Sequence, residues 1–277
     1  DSGWTDYRPA NPYHAIHLWF RSQAPEDLER VERCRGSIDW QTVSIAEKPF
    51  SVEHYNTNTL PWFEYISGNL PDFPDQVLSA NRRLLDQQLS RLRSEDGDPR
   101  RWGQVEQIND YPDSISMQID GYAIHAWQEF NPLYFESLVQ LQWGAPMHIS
   151  HGGFQHASVR YFNPEAQTPG LPIGVSALVS NMDSSRLTLR LGNMNQESQK
   201  VILQSGAFGE HTIESVSSSD PGGEQTTMAV DSQWLEVQVA ASSVVTLTLK
   251  LNRHSRTPSY ESPFSAQADW VNLITPR

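Results

Sequence analysis

Two short stretches carry the residue types of proton-transfer chemistry. In "VEHYNTNTLPWFEY", Glu53, His54, Tyr55 and Asn56 stand together in a polar run without clear periodicity, the setting in which functional loops tend to lie. Proton abstraction beside a uronate carboxylate needs a base such as His or Tyr, and a group such as Asn or Arg to neutralise the developing enolate. His54 and Tyr55 are therefore acid/base candidates and Asn56 a carboxylate neutraliser. Adjacent positions cannot all face one ligand in regular structure, so an ordinary connecting loop is the competing reading.

The second stretch, "GAPMHISHGGFQHASVRYFNP", puts His148, His151 and His156 around a Gly152-Gly153 pair. Neutral imidazoles suit zinc, but Pro146 and the glycine pair argue against a helix, and in extended backbone His148 and His151 point to opposite faces. No metal is expected on that spacing, and no other cofactor either. Read as a strand, "QHASVRYF" places Ala157, Val159 and Tyr161 on one face and His156, Ser158 and Arg160 on the other. His156 and Arg160 then form a candidate substrate-binding pair for a carboxylate or hydroxyl-rich ligand. The alternative is a hydrogen-bonded histidine and an interdomain Arg salt bridge.

Hydrolysis of a glycosidic bond would instead require two carboxylates about 5 to 9.5 Å apart. Asp110 and Asp113 offer themselves, with Asp39, Glu53 or Glu64 as mates, although Asp113 also suits a helix cap. Trp40, Trp62, Trp102, Trp127 and Trp143 are either sugar-stacking platforms or core residues. No phosphate loop, nucleophile elbow or nucleotide fingerprint is present, which leaves kinase, dehydrogenase and serine-hydrolase readings unsupported.

Two kinds of element must position these residues. The first half reads as helices, with Pro12 and Pro25 at starts and Gly36 at a stop. The clearest is "DFPDQVLSANRRLLDQQLSRLRSEDG", where Phe73, Val77, Ala80, Leu84, Leu85, Leu89 and Leu92 recur at mostly three- and four-residue steps. Two further helical patterns follow, in "DSISMQIDGYAIHAWQEF" and "NPLYFESLVQLQWG". After about residue 150 the period becomes 2: "RLTLRL", "QWLEVQV" and "SSVVTLTLKLNR" each alternate one dry and one polar face. Roughly seven antiparallel strands fit a sandwich. The expected fold is α+β, with a helical domain over 1–150, a β-sandwich over 151–253 and an extended tail over 254–277, whose Tyr260, Phe264 and Trp270 suggest wrapping against a partner surface.

Composition narrows the partners. Across 277 residues the net charge is -13 with no basic cluster, so nucleic acid is not an expected partner. No apolar run approaches the roughly 20 residues of a membrane span, so no membrane insertion is expected. Cys34, the only cysteine, excludes an intrachain disulfide and reads as a half-buried helix residue. The chain opens on Asp1, with Met117 its first methionine, which suggests a processed product whose partner is another chain or an upstream fragment of the same precursor.

The segments "ALVSNMDSSRLTLRLGNMNQESQKVIL" and "WLEVQVAASSVVTLTLKLNR" resemble the opening and closing strands of the β-sandwich appended to many carbohydrate-active enzymes. "HGGFQHASVRYFNPEAQTPGLP" followed by "LQSGAFGEHTIESV" is similar to the C-terminal part of large bacterial proteins in which a helical region precedes such a sandwich. In several polysaccharide lyases and glycoside hydrolases an α/α toroid comes first and the sandwich second. The resemblance implies a carbohydrate-active protein, or the C-terminal part of one, acting on an extracellular glycan from an extracellular or periplasmic location. Fold order alone is analogy, and the rival expectation is a non-catalytic subunit of an extracellular assembly or filament.

Overall fold

The computed structural model describes residues 12–36, 39–43, 58–94, 136–146, 156–219, 225–265 and 271–275. Among the described residues, five helices come first: α1 (Pro12–Ser22), α2 (Pro25–Arg33), α3 (Thr59–Ile66), α4 (Phe73–Arg93) and α5 (Glu136–Trp143). Ten strands follow: β1 (Val159–Asn163), β2 (Thr168–Pro169), β3 (Val175–Met182), β4 (Arg186–Asn193), β5 (Gln199–Ser205), β6 (Thr212–Ser219), β7 (Gln225–Ser232), β8 (Trp234–Val239), β9 (Ser243–Asn252) and β10 (Val271–Ile274). The fold is α+β, helices first and a largely antiparallel sandwich second.

Proline opens both α1 and α2, where its missing N–H costs no helical bond. α1 buries Ile16, Trp19 and Phe20, an i, i+3, i+4 stripe. It stops at Gln23, whose backbone turns left-handed (φ 53°) while its N–H closes on the Trp19 carbonyl. Trp19 meets Phe63 of α3 edge to face, with centroids 5.0 Å apart. Beyond α2, Arg35 pairs with the buried Glu64 of α3 at 2.5 Å and lies over Trp40 at 4.6 Å. In α4 the buried positions are Phe73, Val77, Ala80, Leu84 and Gln88, whereas Leu85 is exposed. The burial stripe therefore continues by four-residue steps and leaves Leu85 behind.

The sandwich has sheet order β10-β8-β5-β1-β2 facing sheet order β3-β4-β9-β6-β7. In the second sheet β4 and β9 pair Leu187 with Leu249, Leu189 with Leu247 and Leu191 with Val245. All six face the core. Burial of each such side chain stabilises by about 1.5–3 kcal/mol, so a one-residue slip that exposed this row is strongly disfavoured.

The first sheet departs from the expected alternation. In β8, Trp234 and Glu236 are buried along with Leu235, Val237 and Val239. The reason is the tail: Phe264 packs against Phe162, Ile202 and Trp234 on the sheet's outer face. Further on, β10 joins β8 in parallel, Val271 opposite Leu235 and Leu273 opposite Val237. Residues 254–277, expected to wrap against another chain, thus lay Phe264 and β10 on this chain's own sandwich, and the short β2 and late β10 raise the strand number above the expected seven or so. Tyr260 stays 90% exposed, against Phe208, and Trp270 lies outside the described residues.

Helices and sandwich share one hydrophobic cluster, running from Ile16, Trp19 and Phe63 through Leu141 to Val159, Val179 and Leu189. α5 seats it. Gly144 ends α5 with φ 58°, and a Cβ there would lie 2.6 Å from Val179 Cγ1 of β3, so both backbone and space demand glycine. The Trp143 carbonyl accepts the Ser158 N–H at 2.9 Å, and the Gly144 carbonyl accepts its hydroxyl at 2.7 Å. Tyr161 donates to the Gln142 carbonyl at 2.6 Å, and burial lifts its phenol above the usual range.

Candidate functional site: a polar cleft at the seam

The loop between β5 and β6 folds a carboxylate back on itself. Gly206 has φ 81°, and a Cβ there would sit 2.4 Å from Glu210 Oε2, so only glycine leaves room for the Glu210 side chain. That side chain is 2% exposed. Its Oε2 accepts the Phe208 N–H at 2.7 Å, and its Oε1 accepts Nη1 of Arg21, at the end of α1, at 3.1 Å. Burial alone would raise the carboxyl. The amides of Phe208 and Glu210, with His211 and Arg21 beside it, outweigh burial and hold the carboxyl below its ordinary value.

His211 is buried at the start of β6, and its Nδ1 accepts the His254 backbone N–H at 2.9 Å. An accepting Nδ1 fixes the neutral tautomer with its proton on Nε2. The two rings meet edge to face at 4.8 Å. His254 Nε2 lies 3.2 Å from the Arg21 carbonyl, and because a carbonyl only accepts, this nitrogen is the donor. Burial, then the neighbouring Arg253, brings the His211 imidazole down to about 4, against the pull of Glu210. Arg253 donates to the Asp183 carbonyl at 3.2 Å. Its Nε is buried without an acceptor, and burial lowers the guanidinium to about 10, which leaves it charged at neutral pH.

These groups converge on one cleft. Its walls are Phe20 and Arg21 of α1, His156 to Ser158 leading into β1, Ala207, Glu210 and His211 of the loop, and Arg253 after β9. The space between them is small and opens to solvent. His156 stands 5.6 Å from the Phe20 ring and 6.0 Å from the His17 ring. Partial burial and then Arg21 lower its imidazole below the usual value, so it is uncharged at neutral pH. The cleft thus presents two cations, one fixed carboxylate and two neutral imidazoles.

The sequence-predicted residues distribute unevenly. His156 lines the cleft, but Arg160 stands on the outer face of β1, donating to the Ala207 carbonyl at 3.1 Å and lying 5.2 Å over the Phe162 ring. The strand begins only at Val159, after a bend at Ser158, so the two-residue alternation does not extend back to His156. His54, Tyr55 and Asn56 lie outside the described residues, as do His148, His151, Glu53, Asp110 and Asp113. Glu64 is paired with Arg35, and Asp39 accepts the Gln41 N–H at the surface, so neither carboxylate reaches the cleft. Trp40 and Trp62 are core residues. No cluster of three His, Cys, Asp or Glu suited to a metal occurs among the described residues, and none of their helices is long and apolar enough to cross a membrane.

Sequence reasoning passed over Arg21, Glu210, His211 and Arg253. One local signal was available, the "SGAFGEH" run, whose glycines flank a Glu-His pair. Nothing local marks Arg21 and Arg253, which reach the cleft from opposite ends of the chain.

A family model described as "Domain of unknown function (DUF8034)" matches residues 1–139, just over half of the 277-residue chain. The match takes in α1 to α4 and stops before the sandwich. No curated protein matches. Among solved structures, the chain is similar to the crystal structure of a protein of Bacillus halodurans C-125 named as a candidate alpha-N-acetylgalactosaminidase. The identity is 12% and the TM-score 0.23, over 36% of this chain and 21% of that one. The chain therefore spans about a fifth of that protein's length.

Proposed function

We propose that this chain, which belongs to the family described as a domain of unknown function (DUF8034), is a carbohydrate-active protein or the C-terminal part of one, with the seam cleft as its glycan-contacting site. One observation carries the reading: Arg21, Arg253, His156, His211 and Glu210 face a single cleft. Sugar hydroxyls donate and accept, and this lining sets the donors of Arg21 and Arg253 beside two imidazoles. The cleft is open and too small to enclose a sugar, so a glycan would lie across its mouth and meet these groups from outside.

Between the two reactions considered, elimination fits this lining better than hydrolysis. Hydrolysis needs a carboxylate pair, and Glu210 is the one carboxylate among the described lining residues. Elimination needs a neutral base and a cation for the enolate. His156 is the candidate base, being the less buried of the two lining imidazoles, and Arg253 is the cation that would face a uronate carboxylate. Two arginines against one glutamate make the cleft locally basic, which offsets the overall charge of -13 for an anionic ligand. Incubation with a panel of uronate-containing and neutral glycans, followed by ultraviolet detection of unsaturated ends, tests the reaction. Product from a uronate glycan that disappears in His156→Ala supports it; a panel without product, or product unaffected by that change, refutes it.

A further inference from the structure

We propose that the His211–His254 contact is an acid-released latch between the sandwich and α1, seated while His211 Nδ1 accepts the His254 backbone N–H and released when that nitrogen takes a proton. The latch has two bonds in series. The first, at 2.9 Å, fixes the backbone at His254, which is held left-handed at φ 52°. The second, from His254 Nε2 to the Arg21 carbonyl at 3.2 Å, reaches the last turn of α1. A proton on His211 Nδ1 turns the first bond into two donors facing each other. The left-handed backbone at His254 then loses its own bond to the sandwich and is left to its neighbours, Ser255 against Thr212 and Arg256 against the Glu210 carbonyl, in a conformation uncommon for non-glycine residues.

The surrounding charges set the direction. Arg21 faces the pair from α1, His156 from the lead-in to β1, Glu210 from the β5–β6 loop, and Arg253 from the end of β9, with Asp183 beyond it. Glu210 is the one anion in direct reach, and its oxygens already accept from Phe208 and Arg21. A charged His211 would sit buried beside Arg253, which outweighs the help of the Glu210 carboxylate and backbone, so the seated form resists protonation in keeping with its lowered imidazole. The elements joined by the latch are two walls of the cleft, which the Arg21–Glu210 pair also joins, so release removes one of two polar ties across it whatever ligand it takes. The inference stands on the seam and does not depend on the glycan reading.

Amide hydrogen exchange tests it. A ring that titrates near 6.5 when released and near 4 when seated makes release about 20-fold more favourable at pH 5 than at pH 7. Corrected for intrinsic exchange rates, protection of the His254 amide and of the Trp19 and Phe20 amides in α1 should fall by about that factor, while the Leu189 and Leu247 amides of the sandwich core keep theirs. In His211→Asn, whose Oδ1 accepts without titrating, protection should stay level. Level protection in the unsubstituted protein, or an equal fall in the variant, overturns the latch. Should the variant fail to fold, ¹⁵N titration of the His211 ring decides: Nδ1 protonation coinciding with the loss of His254 protection supports it, and protonation without that loss overturns it.

Discussion

Glu210→Ala is the change that most sharply tests how the seam is held. The carboxylate accepts the Phe208 N–H at 2.7 Å from inside the loop and the Arg21 guanidinium at 3.1 Å from α1. Truncation leaves the Phe208 amide without its ionised acceptor, worth about 1.5–3 kcal/mol for a hydrogen bond to a charged group. Arg21 is 48% exposed and rehydrates, so its pair adds at most about 1 kcal/mol. The expected loss is about 3 kcal/mol out of the roughly 5–15 kcal/mol by which such domains are stable. Glu210→Gln keeps an oxygen for Phe208 and loses the charge, so about 1–2 kcal/mol is expected there. Equilibrium urea unfolding at pH 7 measures both. A loss below about 1 kcal/mol for Ala, or equal losses for Ala and Gln, would refute the claim that this carboxylate anchors the loop through its amides.

Three further outcomes follow from the same geometry. The unfolded chain binds a proton at His211 near pH 6.5 and the folded chain only near 4, so stability is full above pH 6.5 and falls as pH drops from there towards 4. The fall is about 3 kcal/mol at about 1.4 kcal/mol per pH unit, with His156 adding in the same direction; urea midpoints at pH 7 and 4.5 check it, and equal stability at the two would contradict it. Gly144→Ala, forced to φ 58° with a Cβ 2.6 Å from Val179 Cγ1, should cost about 2–4 kcal/mol, read as a fall in melting temperature; an unchanged melting temperature would mean that α5 does not press on β3 as described. Gln140 is fully buried in α5 with neither amide atom partnered, so Gln140→Met should stabilise by about 1–2 kcal/mol in urea unfolding, and a loss would show that the amide is engaged.

The fold was legible where burial on one face repeats along an element. Leu187, Leu189 and Leu191, like Val245 to Leu251 in β9, announce their strands because each has a wet side and a dry side. β8 was read with one polar face because sequence periodicity cannot foresee that Phe264, thirty residues on, covers Trp234. The cleft was less legible for a related reason. His156 drew notice through its neighbours in sequence, whereas its partners in space, Arg21, Glu210, His211 and Arg253, come from three other segments that only the folded seam brings together. The Arg160 pairing failed on parity, since a two-residue alternation holds only within a continuous strand and Ser158 bends before β1 begins. The run "SGAFGEH" held the one local clue, a glycine where a carboxylate must fold back over the chain.

The most direct test of the central claim, that the seam cleft receives a glycan group, is a titration of the protein with uronate-containing and neutral oligosaccharides, followed through the ring resonances of His156 and His211. The account predicts saturable shifts of both rings with a uronate oligosaccharide, abolished in a folded Arg253→Gln variant. Rings that stay unmoved across the whole panel, or that move equally in the variant, would contradict it.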